Sequence, residues 1–571
     1  MSSNLNWAEW RRFKAAIEAC LREGFTPIGV PGGKGSSVGE AARRLKAAGH
    51  MANNTTNARL AQWCRVQEKR KNRGIEHCLP DWSLYNTPNA VKIAPTSRVR
   101  ERWLLTAAQN DTKVHKPFWK NLLAFASYLG ARVYVGRFTY QVAVAKDRAR
   151  VQTPQFDKSR DYRWEPELEP YLTSERFHCG GLIFCAEMNT LPTAVRPLSG
   201  LHTYGQGKTA IFPHAKIALE MVPTGEGLAP AVLTTGCCTV PSYTDTKSGL
   251  KGEFHHVQGA VIVEIDDDDN TFFRHIIAKT DGTFQDLDIL VKDGKISTGN
   301  RVEAITWGDI QSPFLDPMLA MTTWGFDVEK WERTSNGLVD DLRPHYGFYH
   351  DLIDFKSISY WEEKMPLERY KTFLRQGHLV QGDIDKAASF VTATERDFMK
   401  RVVVESNHDK WLERWLDRCD HRKDRDNALS FLTYEYARFK AIAEGDTTFN
   451  VWRHALNISP AGKLDDVMFI PEGGTFVICP ETGGIECGTH GHLGPDGQPA
   501  SPNTLAKVTG KANIGHRHSP IILDGLYGAG TSSVLRLGYN KGPSSWAHCH
   551  TVVYPTGKRT LLFVQNGRWR A

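Results

Sequence analysis

VVVESNHDKW, residues 402–411, opens on three valines and then sets Asn407, His408 and Asp409 side by side. Three consecutive β-branched residues read as a buried strand. An amide, an imidazole and a carboxylate delivered together at the C-terminal end of such a strand suit a functional site. A plain polar turn after a core strand would look the same in ten residues, so the neighbouring sequence has to decide.

Working outward, other strand-like runs also end in ligand-type residues. VEAITWGDIQSP (302–313) ends in Asp309 with Gln311 two residues on, and HYGFYHDLIDF (345–355) ends in His350 and Asp351 with Asp354 following. Helix-like sequence, including KAASFVTATERDFMKR (386–401), separates these from the valine strand, so the organisation is β-α-β. In such sheets the C-terminal strand ends gather functional groups in one crevice. Further on, GIECGTHGHLG (484–494) carries His490 and His492, and KANIGHRHSPIILDG (511–525) carries His516 and His518.

The order D-x-Q, H-D-x-x-D, N-H-D, T-H-G-H, G-H-x-H resembles the calcineurin-like metallophosphoesterase superfamily, whose pattern runs D-x-H, G-D, G-N-H-[DE], H, G-H-x-H. The likeness covers about residues 300–555. It implies an α/β fold, a metallophosphoesterase β-sandwich flanked by helices, over 299–571. It also implies two divalent metal ions that clamp a phosphate and generate hydroxide for in-line attack. Asp351 would bridge the ions, Asp309 and His518 with Gln311 would complete the first, and Asn407, His490 and His516 the second. An oxygen and imidazole set suits Mn2+, with Mg2+, Fe2+ or Zn2+ as alternatives. His408 would protonate the leaving alkoxide, and Asp409 would orient its ring. His350, Asp354 and His492 stand close enough in sequence to be second-layer or substrate contacts.

The sequence departs from the pattern at two places. Gln311 stands where the family has a histidine, and a neutral amide is a weaker ligand. His350 replaces the glycine before the bridging aspartate.

The remaining chain supplies context. The 571 residues are 41% hydrophobic and 24% charged, an ordinary globular balance. No run approaches the ~18 apolar residues of a membrane span, and the N-terminal stretch lacks the apolar core of a signal peptide. Eleven cysteines without a CxxC pair argue for reduced thiols in a cytoplasm.

The net charge of +7 is unevenly placed. Residues 1–80 hold 14 Lys and Arg against 6 Asp and Glu, and the rest holds 57 against 58. That asymmetry points to a nucleic-acid-facing segment. Residues 1–76 read as a basic helical, helix-turn-helix-like domain, with Arg43, Arg44, Arg59, Arg65, Lys69, Arg70 and Lys71 as candidate DNA contacts. Residues 77–97, with three prolines, read as a linker.

Residues 98–298 read as an α/β middle domain to which the sequence assigns no chemistry. It opens with strand, helix and strand over 102–140 and continues with apolar strand-like runs to about 295. The acidic run IDDDDN (265–270) reads as a solvated turn, and Arg196, His202, His255 and His256 are phosphate-contact candidates by residue type alone. Segments within 104–135, 190–200 and 234–249 resemble stretches of large phage-encoded proteins carrying the same phosphoesterase block.

The expectation is therefore a phage nuclease, acting on duplex DNA in a bacterial host cytoplasm and assembling as a homo-oligomer. A phosphatase or nucleotide phosphodiesterase is the alternative enzyme. A DNA-binding regulator on a degenerate phosphoesterase scaffold is the alternative without catalysis.

Overall fold

The computed structural model describes residues 37–48, 99–140 and 164–571, apart from 226, 360–364, 375, 376, 509, 538 and 539, together with 13, 16, 17, 19, 20 and 23. The basic residues Arg59, Arg65, Lys69, Arg70 and Lys71 and the linker 77–97 lie outside the described residues.

The valines at 402–404 show how the layers form. They belong to the strand Lys400–Val404, the second strand of a six-stranded sheet. Its order is Met468–Ile470, Lys400–Val404, Tyr346–His350, Ala304–Thr306, Cys549–Val553 and Arg559–Phe563. The first four run parallel, the fifth runs antiparallel to them, and the sixth pairs antiparallel with the fifth. Successive side chains of a strand point to opposite faces. Val403 enters a core with Trp307, Tyr349 and the helices Pro317–Trp324, Val380–Ala393 and Val451–Ile458. Val402 and Val404 enter a different core, with Ala304, Phe348, Ile478 and Ile485. All three are at most 1% exposed, and each contributes about 1.5–3 kcal/mol of transfer free energy.

Ile478 and Ile485 lie on a second, ten-stranded sheet facing the first. That sheet draws five strands from 477–528 and five from 176–234. Strands on both sides of the boundary expected at 298 therefore share one sheet, through the antiparallel pairing of Ile521–Leu523 with Leu219–Met221. The middle region is built into the layer that faces the strand ends.

A five-stranded sheet completes this region, in the order Thr271–Ile277, Gly259–Asp266, Val99–Gln109, Arg132–Phe138 and Leu172–Thr173. One face packs on the ten-stranded sheet through Leu105, Val261 and Val263. The other packs through Leu104, Ala260 and Ile262 on the helix Lys116–Leu129. That helix starts where Pro117 fixes the first turn and the His115 ring accepts from Phe118 N. It stops at Gly130, with φ 64°. The five- and six-stranded sheets meet edge to edge, where Phe273 and Phe563 lie 4.8 Å apart.

The run 265–270 is a structural turn. Asp266 is buried, accepts from Asp268 N and Asn270 N, and pairs with Arg568. His256 is likewise engaged, by Tyr243 Oη and Thr239 O. His202 pairs with Glu220, and Arg196 with Asp524 and Asn503. On the helix Ser37–Ala47, Arg43 pairs with Glu40, and Arg44 with Glu40 and Glu23. Among the described residues no helix is long and apolar enough to cross a membrane.

Candidate metal centre

The three central parallel strands of the six-stranded sheet end side by side, and the loops that follow carry Asp309 and Gln311, Asp351 and Asp354, and Asn407 and His408. The facing sheet contributes His490 and His492 after Ile485–Glu486, and His516 and His518 between Ala512–Ile514 and Ile521–Leu523. The β-α-β crossovers supply the first set, and the sheet-on-sheet packing brings the second set over it.

Ligand atoms of Asp309, Asp351 and His490 all lie within 4.8 Å of one another, and all three residues are buried. His518 Nε2 adds to them, 2.9 Å from Asp309 Oδ2 and 3.8 Å from Asp351 Oδ2. The His516 ring lies 5.2 Å from that of His490. Both ring nitrogens of His490, Asn407 Oδ1 and His518 Nδ1 are buried without a hydrogen-bond partner, and the buried Asp309 carboxylate has the His518 ring beside it. Buried polar atoms are nearly always hydrogen-bonded, so a group of such orphans in one place is a candidate donor set, one that could hold a cation. Oxygen and imidazole donors of this kind fit divalent metal ions.

Gln311, Asp351, His516 and His518 all have positive φ, between 43° and 71°. A non-glycine residue held there costs on the order of 1 kcal/mol or more and persists only where its surroundings over-determine it. Gly515 lets the last loop close in, because a Cβ there would collide with Asp309 Oδ1 and come within 3.0 Å of His350 Cβ.

The field of the cluster is negative. Burial favours neutral His408 and His518, yet the nearby carboxylates push them up to about 10 and about 9. Burial also opposes ionisation of Asp351, but the charge of His408 and the His518 contact hold it well below the carboxylate range. Asp309 is pushed up to about 6 by burial. Burial lowers His490 well below its ordinary value and takes His350 and His516 down to about 4, so these rings are neutral. Neutral imidazole is the form that binds metal.

The structure redistributes several expected roles. Asp409 does not touch the His408 ring; its Oδ2 accepts from Ser406 N at 2.9 Å. Asp354 holds His408 instead, with Oδ1 3.0 Å from Nδ1. Trp411 stacks on the ring at 5.0 Å and 11°, which leaves Nε2 as the outward nitrogen. Gln311 spends its amide on orientation, Nε2 donating to Asp351 Oδ2 at 3.2 Å. His492 is tied to Glu472 at 2.8 Å, whereas His490 has neither nitrogen engaged. His350 is fully buried and stacks on His490 at 5.6 Å.

Sequence reasoning missed Ser406, whose Oγ donates to Asp351 Oδ1 at 2.7 Å and accepts from the backbone N of His408 and of Asp409. It also missed Glu472, and Trp546, which lies 4.2 Å from His518. Ser406 stands within the E-S-N-H-D string, and that position was the available signal. Glu472 and Trp546 are far away in sequence and carried none.

The chain is 34% identical over 482 residues to Protein A1 of Escherichia phage T5, covering 82% of this chain and 83% of that protein. No family model matches it, and no solved structure matches it.

Proposed function

The chain belongs to the same family as Protein A1 of Escherichia phage T5, and we propose that it is a phage-encoded, divalent-metal-dependent phosphodiesterase acting on DNA in the host cytoplasm. The observation that carries this reading is the convergence of buried Asp309, Asp351 and His490, with neither His490 nitrogen partnered, beside the Asp354–His408 pair. Such a constellation is what the calcineurin-like metallophosphoesterase resemblance requires of these residues.

Asp309, Asp351, Asn407, His490, His516 and His518 would hold two ions, Mn2+ foremost. When bound, the ions supply Lewis acidity for the phosphate and lower the pKa of water. The remaining roles fall to the chain itself. Asp351 is fixed from both sides, by Ser406 Oγ and Gln311 Nε2. Asp354 keeps the proton of His408 on Nδ1 and stabilises the imidazolium, so that Nε2 delivers a proton to the leaving alkoxide. Trp411 fixes the ring plane. DNA as substrate is supported by the excess positive charge of residues 1–80.

The test is cleavage of plasmid and linear duplex by purified protein with Mn2+, Mg2+ or EDTA, beside His408→Ala and Asp351→Ala. Metal-dependent cutting that both variants lose supports the reading. Hydrolysis of an aryl phosphodiester without DNA cleavage moves the substrate elsewhere. Metal binding with neither activity favours the scaffold reading, for which Gln311 in place of a histidine is the specific observation.

Self-association belongs to the same proposal. Among the described residues, 11 of the 22 exposed large apolar side chains lie between Met365 and Leu379 or between Leu429 and Ile442. The helix Ala428–Ala443 buries Phe431, Tyr434 and Ala441 and turns Leu429, Leu432, Tyr436 and Phe439 outward, a heptad-like seam. Those four side chains are 50–79% exposed, and an apolar row of this kind is the seam along which two helices pair. The occupant is a second copy of this chain.

A further inference from the structure

Six histidines are buried among the described residues: His214, His275, His350, His490, His518 and His550. Three of them serve the fold, and ordinary hydrogen bonds hold each one. His214 Nδ1 accepts from Lys216 N at 2.9 Å, and its Nε2 donates to Leu191 O at 3.2 Å. His275 Nε2 donates to Thr234 O at 2.7 Å. His550 Nδ1 accepts from Gly308 N at 3.0 Å, with Thr323 Oγ1 3.2 Å from its Nε2. His518 has the Asp309 carboxylate. Among the described residues, His350 and His490 alone have both ring nitrogens buried with no hydrogen-bond partner. A neutral imidazole carries one N–H and one lone pair, and such a group left unmatched in the interior costs about 1–3 kcal/mol. For His490, a candidate ligand, a cation would use the lone pair. His350 has no such role in the ligand set proposed above.

The strand turns His350 toward the cluster. His350 ends Tyr346–His350, in register with Val404 of the neighbouring strand. Val404 and Phe348 both enter the core against the ten-stranded sheet, while Tyr349 enters the helical core. Alternation along the strand therefore sets His350 on the side of the ten-stranded sheet, where its ring and that of His490 stack at 5.6 Å and 25°. A Cβ on Gly515 would meet both Asp309 Oδ1 and, at 3.0 Å, His350 Cβ, so the Asp309 carboxylate and the base of His350 flank the same glycine. The chain also carries one imidazole fewer than the phosphoesterase pattern at Gln311 and one more at His350. We infer that His350 is a further ligand of the metal centre, giving a ring nitrogen to the cation that Asp309, Asp351 and His490 enclose. The cation is one that takes imidazole beside carboxylate, Mn2+, Fe2+ or Zn2+, in preference to Mg2+ or Ca2+. This ligation rests on the metal part of the proposed function and not on phosphodiester cleavage.

The experiment titrates Mn2+ into the metal-free full chain, wild type and His350→Ala, and follows free Mn2+ by its electron paramagnetic resonance signal. Each titration is repeated with excess imidazole and with excess pyrrole, a ring of the same size without an available lone pair. His350→Ala is expected to weaken Mn2+ at least ~10-fold, a loss of about 1.4 kcal/mol. Imidazole should enter the vacated space and restore most of the affinity, and pyrrole should not. Unchanged affinity in His350→Ala overturns the ligation. A loss that pyrrole also restores, or that neither ring restores, assigns His350 to packing and overturns it equally. Should His350→Ala fail to fold, His350→Phe decides, because it keeps the bulk of the ring without a lone pair: the same loss supports the ligation, and wild-type affinity overturns it. A wild type that binds no Mn2+ removes the metal centre altogether, and the proposed function with it. Mn2+ held through His350 by a protein that hydrolyses no phosphodiester keeps the ligation and overturns the enzymatic reading.

Discussion

Replacing Asp354 by Asn tests the assignment on which the proposed chemistry turns. His408 Nδ1 stands 3.0 Å from Asp354 Oδ1, with the carboxylate side chain 8% exposed. Two unit charges at that distance interact by roughly 5 kcal/mol at an effective dielectric of about 20, an upper bound for the pair. Asp351 and Asp354 both raise His408, so Asn at 354 should lower the imidazole and loosen its orientation. A positioned general acid contributes about 10²–10⁴ in rate. Because His408 itself remains, the loss should fall near the lower end, about 10²-fold in kcat on a nucleotide diester, whose leaving alkoxide needs a proton. With bis(4-nitrophenyl) phosphate, whose phenolate leaves unprotonated, the loss should stay within about 5-fold. Asp409→Asn is the control, since Asp409 accepts from Ser406 N and an Asn Oδ1 can do the same; its ratio between the two substrates should match wild type within about 2-fold. The assay is steady-state kinetics on both substrates at saturating Mn2+. A shifted ratio in Asp409→Asn with none in Asp354→Asn would refute the assignment.

Gly515→Ala should weaken Mn2+ about 10–100-fold by displacing Asp309, with far-ultraviolet circular dichroism unchanged; an unaltered Mn2+ affinity would mean that Asp309 is not a ligand. Saturating Mn2+ at about 100 times its Kd should stabilise wild type by about 2.7 kcal/mol, read as a rise in Tm that Asp309→Asn abolishes. Acid should destabilise the fold through His275, whose Nε2 donates to Thr234 O at 2.7 Å and which burial pushes down to about 4. The unfolded ring titrates near 6.5, so the unfolded state binds more protons in between. The contribution is complete above about pH 6.5 and is lost toward pH 4, about 3 kcal/mol in all. His275→Gln should flatten the urea-derived stability slope across that window, and an unchanged slope would count against it. If the proposed self-association holds, wild type should run as a dimer and Phe439→Glu as a monomer in light scattering after size exclusion; if both proteins have the same mass, the outward helix face is not an interface.

Much of the candidate site was legible because its parts sit at the ends of strands strong enough to read. Val402–Val404 formed one continuous apolar run, which marks a strand covered on both faces, and both covers are present, helices over Val403 and a sheet over Val402 and Val404. The ten-stranded sheet was not legible as a unit. Its strands are two to four residues long and come from segments more than 200 positions apart, and so short a run carries no period to detect. The boundary expected at 298 failed to separate layers for the same reason.

The exchange of Asp409 for Asp354 shows a different limit. Adjacency to His408 made Asp409 the obvious orienter, but consecutive residues leaving a strand point in divergent directions. Here the turn folds Asp409 back onto Ser406 N, while a residue 54 positions earlier, in the loop after the adjacent parallel strand, meets the ring. Register between parallel strands decides such contacts, and local sequence does not encode it. Backbone conformation is equally hidden. Nothing in the letters D-x-Q or G-H-x-H announces that Gln311, Asp351, His516 and His518 all adopt the left-handed region. Four non-glycine residues held there together cost several kcal/mol on the scale of about 1 kcal/mol or more each. Leu287, Trp331 and Phe355 also hold positive φ in turns away from the cluster, so the conformation alone does not mark a donor set. What sets these four apart is where their side chains meet: Gln311 and His518 on Asp351, and the His516 ring beside that of His490.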